Sequence, residues 1–222
     1  MRGRQSRKRG FTLIETVVTV GIVAALAAVV YPQVVKQFDS ADPSRAAEDL
    51  NSISTAISAF SVNVRPHQPA DVEDLVFALR TVVATDSTAL GARYSTSDSA
   101  AWLGPYLGAS TTENVAGNAT VITTGFDGAI LNEFARYDIN GADIATGGEA
   151  ETLANVALAE FLAVQISGLS DAAFSTLNAL IDGPSENTDN LRRWGGRLRC
   201  PGAFTAGDPC AAAYFLAAPL RQ

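Results

Sequence analysis

The chain has 222 residues, 47% of them apolar, a composition that favours one globular domain plus an extended anchor over two domains. Its net charge of −7 is uneven: Arg2, Arg4, Arg7, Lys8 and Arg9 give residues 1–10 a charge of +5, and removing it leaves −12 on residues 11–222. A body this acidic repels phosphate backbones, which argues against nucleic-acid binding as the main activity. Two cysteines and the single histidine, His67, do not supply the three or four ligands of a usual zinc site, although a carboxylate-rich metal site stays open.

Residues 11–31 read F-T-L-I-E-T-V-V-T-V-G-I-V-A-A-L-A-A-V-V-Y, with Glu15 the one charge. As a helix this run spans roughly 31 Å, enough to cross the hydrocarbon of a bilayer. The basic residues before it, with none between Phe11 and Gln33, place the N-terminus in the cytoplasm and the rest of the chain outside. An ordinary secretory signal would end in a small-x-small site, which Ala25-Leu26-Ala27 could supply, but the apolar run contains a carboxylate. A twin-arginine signal is broken by Lys8 in S-R-K-R-G-F. A plain uncleaved anchor leaves Glu15 without a purpose. An ionisable group in a membrane helix costs on the order of 3 kcal/mol, so Glu15 is a functional candidate. No basic residue of the run can match it, so its partner has to come from another chain or from a newly made terminus.

R-K-R-G-F-T-L-I-E resembles the type III signal of type IV prepilins and of the pseudopilins of type II secretion. The shared features are a short basic leader, a glycine, an aromatic residue and a glutamate five positions after the cut. The resemblance implies cleavage by a prepilin peptidase after Gly10 and N-methylation of Phe11. It gives Glu15 a partner, the Phe11 amine of a neighbouring subunit. Two opposite charges attract strongly in a dry filament core and an unmatched one is penalised, so the pair would set register as subunits add. Pro32 stands 22 residues after the cut, where many family members carry a helix-kinking proline, and it removes one backbone hydrogen bond.

Beyond Pro32, Leu50, Ile53, Ile57, Phe60 and Val64 recur at spacings of 3, 4, 3 and 4 and define one helix face. Arg45, Glu48, Asp49, Asn51, Ser52 and Ser58 occupy the other face. Asp42-Pro43 reads as an N-cap and a first-turn proline, a place for the helix to break or restart. Arg65-Pro66 ends it. The stretch from Ala41 to Phe60, followed by P-H-Q-P-A-D-V-E-D-L-V-F-A-L, is similar to the stalk, proline-marked turn and short helix of the major pseudopilins.

A helix is predicted over 71–84. Residues 85–148 are rich in Gly, Ser, Thr and Asn, with a β-like run at 120–123 before the turn at 125–128. A second helix is predicted over 149–166, with Thr146 and Glu149 at capping-box spacing, and a third over 171–181, stopped by Gly183-Pro184. The resemblance implies an α+β pilin-like fold: a long N-terminal helix, part anchor and part stalk, packed on a small antiparallel sheet, with the additional helices as an insertion. The parts are then a cleaved cytoplasmic leader (1–10), a transmembrane and filament-core helix (11–31), an amphipathic stalk (32–64) and a globular head (65–222).

Cys200 and Cys210 enclose nine residues, and in a domain outside the cytoplasm a disulfide is the natural reading, contributing roughly 2–3 kcal/mol through loop closure. The alternative is two free buried thiols. Many type IV pilins carry a C-terminal disulfide loop, and this pair resembles it in position. Asp182, Glu186 and Asp189, with Asn187 and Asn190, offer oxygen ligands of the kind that hold Ca²⁺. Major pseudopilins bind calcium in a C-terminal loop, but no exact motif carries over, and an acidic solvated turn is the reading preferred. No other cofactor is expected. His67 lies in R-P-H-Q-P with no nucleophile signature beside it, and no G-x-S-x-G, Walker or dinucleotide fingerprint occurs, so an enzyme is not expected.

The resemblance thus implies a structural subunit of a type IV pilus-like filament. Its partners would be identical or related subunits, the peptidase, an inner-membrane assembly platform and, before assembly, membrane lipid. A single-pass inner-membrane form would precede the extracytoplasmic filament. A secretion pseudopilin and a monomeric membrane-anchored binding module are the alternatives.

Overall fold

The computed structural model describes residues 13–79, 87–108, 121–123, 128–139, 149–151, 159–183, 195–201 and 207–220. The chain divides into two units, Met1–Ala41 and Asp42–Gln222. The first helix, α1 (Leu13–Asn63), contributes to both. It is helical through Pro43, so the expected restart there is not seen. The loss of one hydrogen bond at a proline is offset where the next turns are held by packing, as Ala46 and Leu50 are.

In the second unit the stripe behaves as its period demands. Leu50, Ile53, Ile57, Phe60 and Val64 are all buried, while Arg45, Glu48, Asn51, Ser52 and Ser58 are exposed and Asp49 is half-buried. The buried face joins one apolar cluster with Leu162, Val164, Ile166, Ala213, Phe215 and Ala217 of the sheet. Ser54 adds a hydrogen bond from its hydroxyl to the Ala217 carbonyl (2.6 Å). α1 ends before Arg65-Pro66 as expected, and that peptide bond is cis.

The sheet consists of β1 (Val121–Thr123), β2 (Ala129–Asp138), β3 (Glu149–Glu151), β4 (Phe161–Leu169), β5 (Leu198–Arg199) and β6 (Cys210–Pro219). All pairings are antiparallel; the order is β1-β2-β4-β6-β5, with β3 also on β2. An α+β pilin-like arrangement of an N-terminal helix, an antiparallel sheet and further helices is therefore present. The other helices are α2 (Glu73–Val76), α3 (Thr96–Ala101) and α4 (Asp171–Ile181).

Two predicted helices are corrected. The one over 149–166 gives way at its described ends to β3 and the start of β4, and 152–158 lie outside the described residues. Leu162, Val164 and Ile166 join the cluster under α1, while Ala163 joins Tyr137 and Leu216 in a second cluster. With Leu162, Ala163 and Val164 buried in succession, the polar alternation of a half-exposed strand is confined to Gln165 and Ser167, and the run mimics a buried helix. Glu149 is paired in β3 rather than capping a helix, and Thr146 lies outside the described residues. Of the helix predicted over 71–84, the described part, 71–79, holds only the single turn of α2, and 80–84 lie outside the described residues. Its start is used otherwise: Asp71 bridges Glu133, Val72 donates to the Asn132 carbonyl (3.0 Å), and Phe134 donates to that of Ala70 (2.9 Å). These bonds fall where the β2–β4 register shifts between Ile130 and Phe134, so the segment after the stalk supplies partners that β4 does not.

The strand at 120–123 is found as β1, and the helix at 171–181 as α4, capped by the Ser170 hydroxyl. Most of the turn predicted at 125–128 lies outside the described residues.

Candidate functional site

The segment that would drive assembly begins at the N-terminus of α1. Gly10 and Phe11 lie outside the described residues. Glu15 sits in the first helical turn, where a carboxylate is favoured by the exposed backbone N–H groups and the helix dipole. Around it Leu13 is 82% exposed, Ile14 72%, Val20 68% and Val23 64%, with Val17, Val18, Ile22 and Leu26 also exposed. At 100° per residue these positions encircle the helix rather than marking one face. A helix apolar all round belongs in a membrane or a protein core. The two hydroxyls of this stretch fit such surroundings: Thr16 donates to the Leu13 carbonyl (2.8 Å) and Thr19 to that of Thr16 (2.9 Å). Among the described residues, no helix is long and apolar enough to cross a membrane; side chains of the 11–31 run are described for 13–24 and 26. Pro32 lies within α1.

The expected site residues of the head do not converge. Cys200 and Cys210 form a disulfide, both buried, in the cluster under α1. Asp182 is the C-cap of α4, and its carboxylate accepts the backbone N–H of Arg197 (2.8 Å) and of Leu198 (3.0 Å). Glu186 and Asp189 lie outside the described residues. No group of three or more His, Cys, Asp and Glu placed to hold a metal occurs among the described residues.

A cluster missed in the sequence ties the end of the stalk to α3. Ser95 and Asp98 form a capping box: the Ser95 hydroxyl accepts from the Asp98 N–H, and Asp98 accepts from that of Ser95 (2.7 Å). His67 Nε2 stands 3.6 Å from Asp98 Oδ2, and its ring meets the edge of Tyr94, whose hydroxyl donates to buried Asp74 (2.7 Å). The S-x-x-D spacing was the available signal. Burial works to raise the Asp98 pKa, but the Ser95 hydroxyl and N–H and the charge of His67 outweigh it, leaving the carboxyl below its ordinary 3.8. A depressed pKa means that the stabilisation is present above about pH 4 and is lost as pH falls through the folded value. Asp98→Ala is expected to cost about 1 kcal/mol at pH 7 in denaturant titrations, and the difference from wild type should shrink as pH falls through the lowered Asp98 pKa.

The arrangement offers an apolar helix with one acid near its start, and a head in which the expected site residues do not come together. Residues 5–31 match the family model of the prokaryotic N-terminal methylation motif. No curated protein and no solved structure gave a significant match to the chain. The motif covers the basic residues from Arg7 to Arg9, Gly10, Phe11, Glu15 and the apolar run, the same residues on which the resemblance was built. The chain therefore carries the prokaryotic N-terminal methylation motif, the signal that begins the precursors of type IV pilins and pseudopilins.

Proposed function

We propose that the chain is a structural subunit of a type IV pilus-like filament. A prepilin peptidase removes residues 1–10, Phe11 becomes the methylated N-terminus, and the helix of residues 11–31 holds the subunit in the inner membrane. An assembly platform then moves it into an extracytoplasmic filament beside identical or related subunits. Glu15 matches the Phe11 amine of a neighbour, and the apolar helices exchange lipid for one another. The observation that carries this reading is the encircling apolar surface of residues 13–24 and 26 within the methylation motif. A surface of that kind is stable in only two places, and assembly uses both in turn.

The native cysteines are paired, so an introduced thiol reports on its own neighbours. Val17→Cys in the filament fraction is expected to form covalent dimers on mild oxidation, at least about tenfold more than in the dispersed membrane fraction, where tethered subunits meet by diffusion. Equal yields in the two fractions would favour a monomeric anchor. Long surface fibres would indicate a pilus, and short fibres dependent on a secretion machine a pseudopilin.

A further inference from the structure

Asp182 breaks a local rule. It is an acid at the C-terminal end of α4, where the helix dipole favours cations. Such a departure needs a compensating use, and the carboxylate has one: it takes the N–H groups of Arg197 and Leu198, the start of β5. Asn178, one turn earlier on α4, donates to the Leu198 carbonyl (3.1 Å) and to Asp182 itself (3.3 Å). Gly196 has φ +71°, and a Cβ there would collide with the Asp182 carboxylate, so glycine is required on both counts. β5 itself is only two residues long. It pairs Leu198 with Phe215 and Arg199 with Tyr214, and the next residue is Cys200.

We propose that Asp182 is a positioning residue for the disulfide: with Asn178 it docks β5 on β6 while the thiols are still reduced, and so presents Cys200 to Cys210. The two-residue ladder, with the Leu216 N–H on the Arg197 carbonyl (2.7 Å) and the Arg197 guanidinium over the Phe215 ring (4.4 Å), is a short hold for a strand, and the Asp182 bonds are made just before the cysteine that must be placed. Charge-assisted bonds to two successive N–H groups are about twice as strong as neutral ones and do not depend on oxidation. By linkage, whatever favours the docked strand in the dithiol form raises the effective concentration of one thiol at the other by the same factor. Oxidation by glutathione disulfide then balances. The two protein thiols give up two electrons and two protons, a sulfur–sulfur bond forms between Cys200 and Cys210, and the glutathione disulfide bond breaks to yield two glutathione thiols. This role holds whether or not the chain forms filaments.

The test is the thiol–disulfide equilibrium of the full-length chain in detergent, equilibrated with reduced and oxidised glutathione and read by thiol alkylation and mass. Asp182→Ala is expected to lower the equilibrium constant about ten- to a hundredfold, and Asp182→Asn, which keeps one acceptor oxygen, by less. A constant for Asp182→Ala within about twofold of wild type would overturn the proposal. Hydrogen exchange on the reduced wild-type chain gives an answer that does not require the variant to fold. The amides of Arg197 and Leu198 are expected to stay protected without the disulfide. If they exchange as freely as an unfolded chain, the disulfide makes the strand and the proposal fails.

Discussion

Glu15→Leu is expected to leave membrane insertion and cleavage after Gly10 intact and to reduce incorporation into filaments more than about a hundredfold. Removing one member of a desolvated ion pair strands the other, at a cost of about 3–5 kcal/mol, and in the proposed assembly the stranded group would be the Phe11 amine of the next subunit. The magnitude separates the two classes of function. A monomeric anchor gains from leucine, because an ionisable group in the bilayer is a burden. A filament subunit loses its register. Glu15→Asp should be intermediate, since the charge is kept but the carboxylate is withdrawn by one methylene. Quantifying the subunit in the sheared filament fraction against total membrane reads both variants against the wild type, and equal incorporation of Glu15→Leu would remove the assembly role of this residue.

The second large effect is expected at the join of stalk and head. Phe60 is fully buried, with Tyr94 (6.2 Å between centroids) and Tyr106 (5.8 Å) meeting it edge-on. Tyr106 in turn accepts from the Asn63 side chain (3.0 Å) and from the Leu103 N–H (2.9 Å), so the ring sits at the centre of the contacts that fix the loop after α3 to the stalk. Phe60→Ala should destabilise the head by about 3–5 kcal/mol, the sum of lost transfer energy, a cavity and the aromatic pairs. Denaturant unfolding followed by tryptophan fluorescence measures it, with Trp102 packed on Tyr106 as a local reporter. A loss under about 1 kcal/mol would mean that the stalk and head are held together elsewhere.

How much of this was legible in the sequence depended on how many residues carried each signal. The stalk face was readable because five apolar residues keep helical spacing and all five meet the same sheet. α4 was readable because Gly183-Pro184 follows it; the Ser170 cap emerges only in the structure. β4 was not, because Leu162, Ala163 and Val164 are buried in succession across two clusters, and only Gln165 and Ser167 interrupt the apolar run. β2 was hidden by its register shift, which breaks the period-2 pattern between Ile130 and Phe134. β6 was missed for a plainer reason: small residues such as Ala211, Ala212, Ala213, Ala217 and Ala218 carry little strand propensity, and only the pairing with β4 makes them a strand. The Cys200–Cys210 pairing was readable from compartment and spacing. The use of Asp182 was not, because its partners are backbone N–H groups fifteen and sixteen residues away.

The assembly segment was the most legible part, since leader, glycine, aromatic, glutamate and apolar run all lie within residues 7–31 and need no tertiary partner to be recognised. The central claim about it is that the mature protein begins at Phe11. Intact mass and N-terminal peptide sequencing of the protein from its native membrane or filament fraction test that directly. A chain starting at Phe11 with one added methyl group is the predicted result. A chain starting at Met1, or just after Ala27, would contradict it.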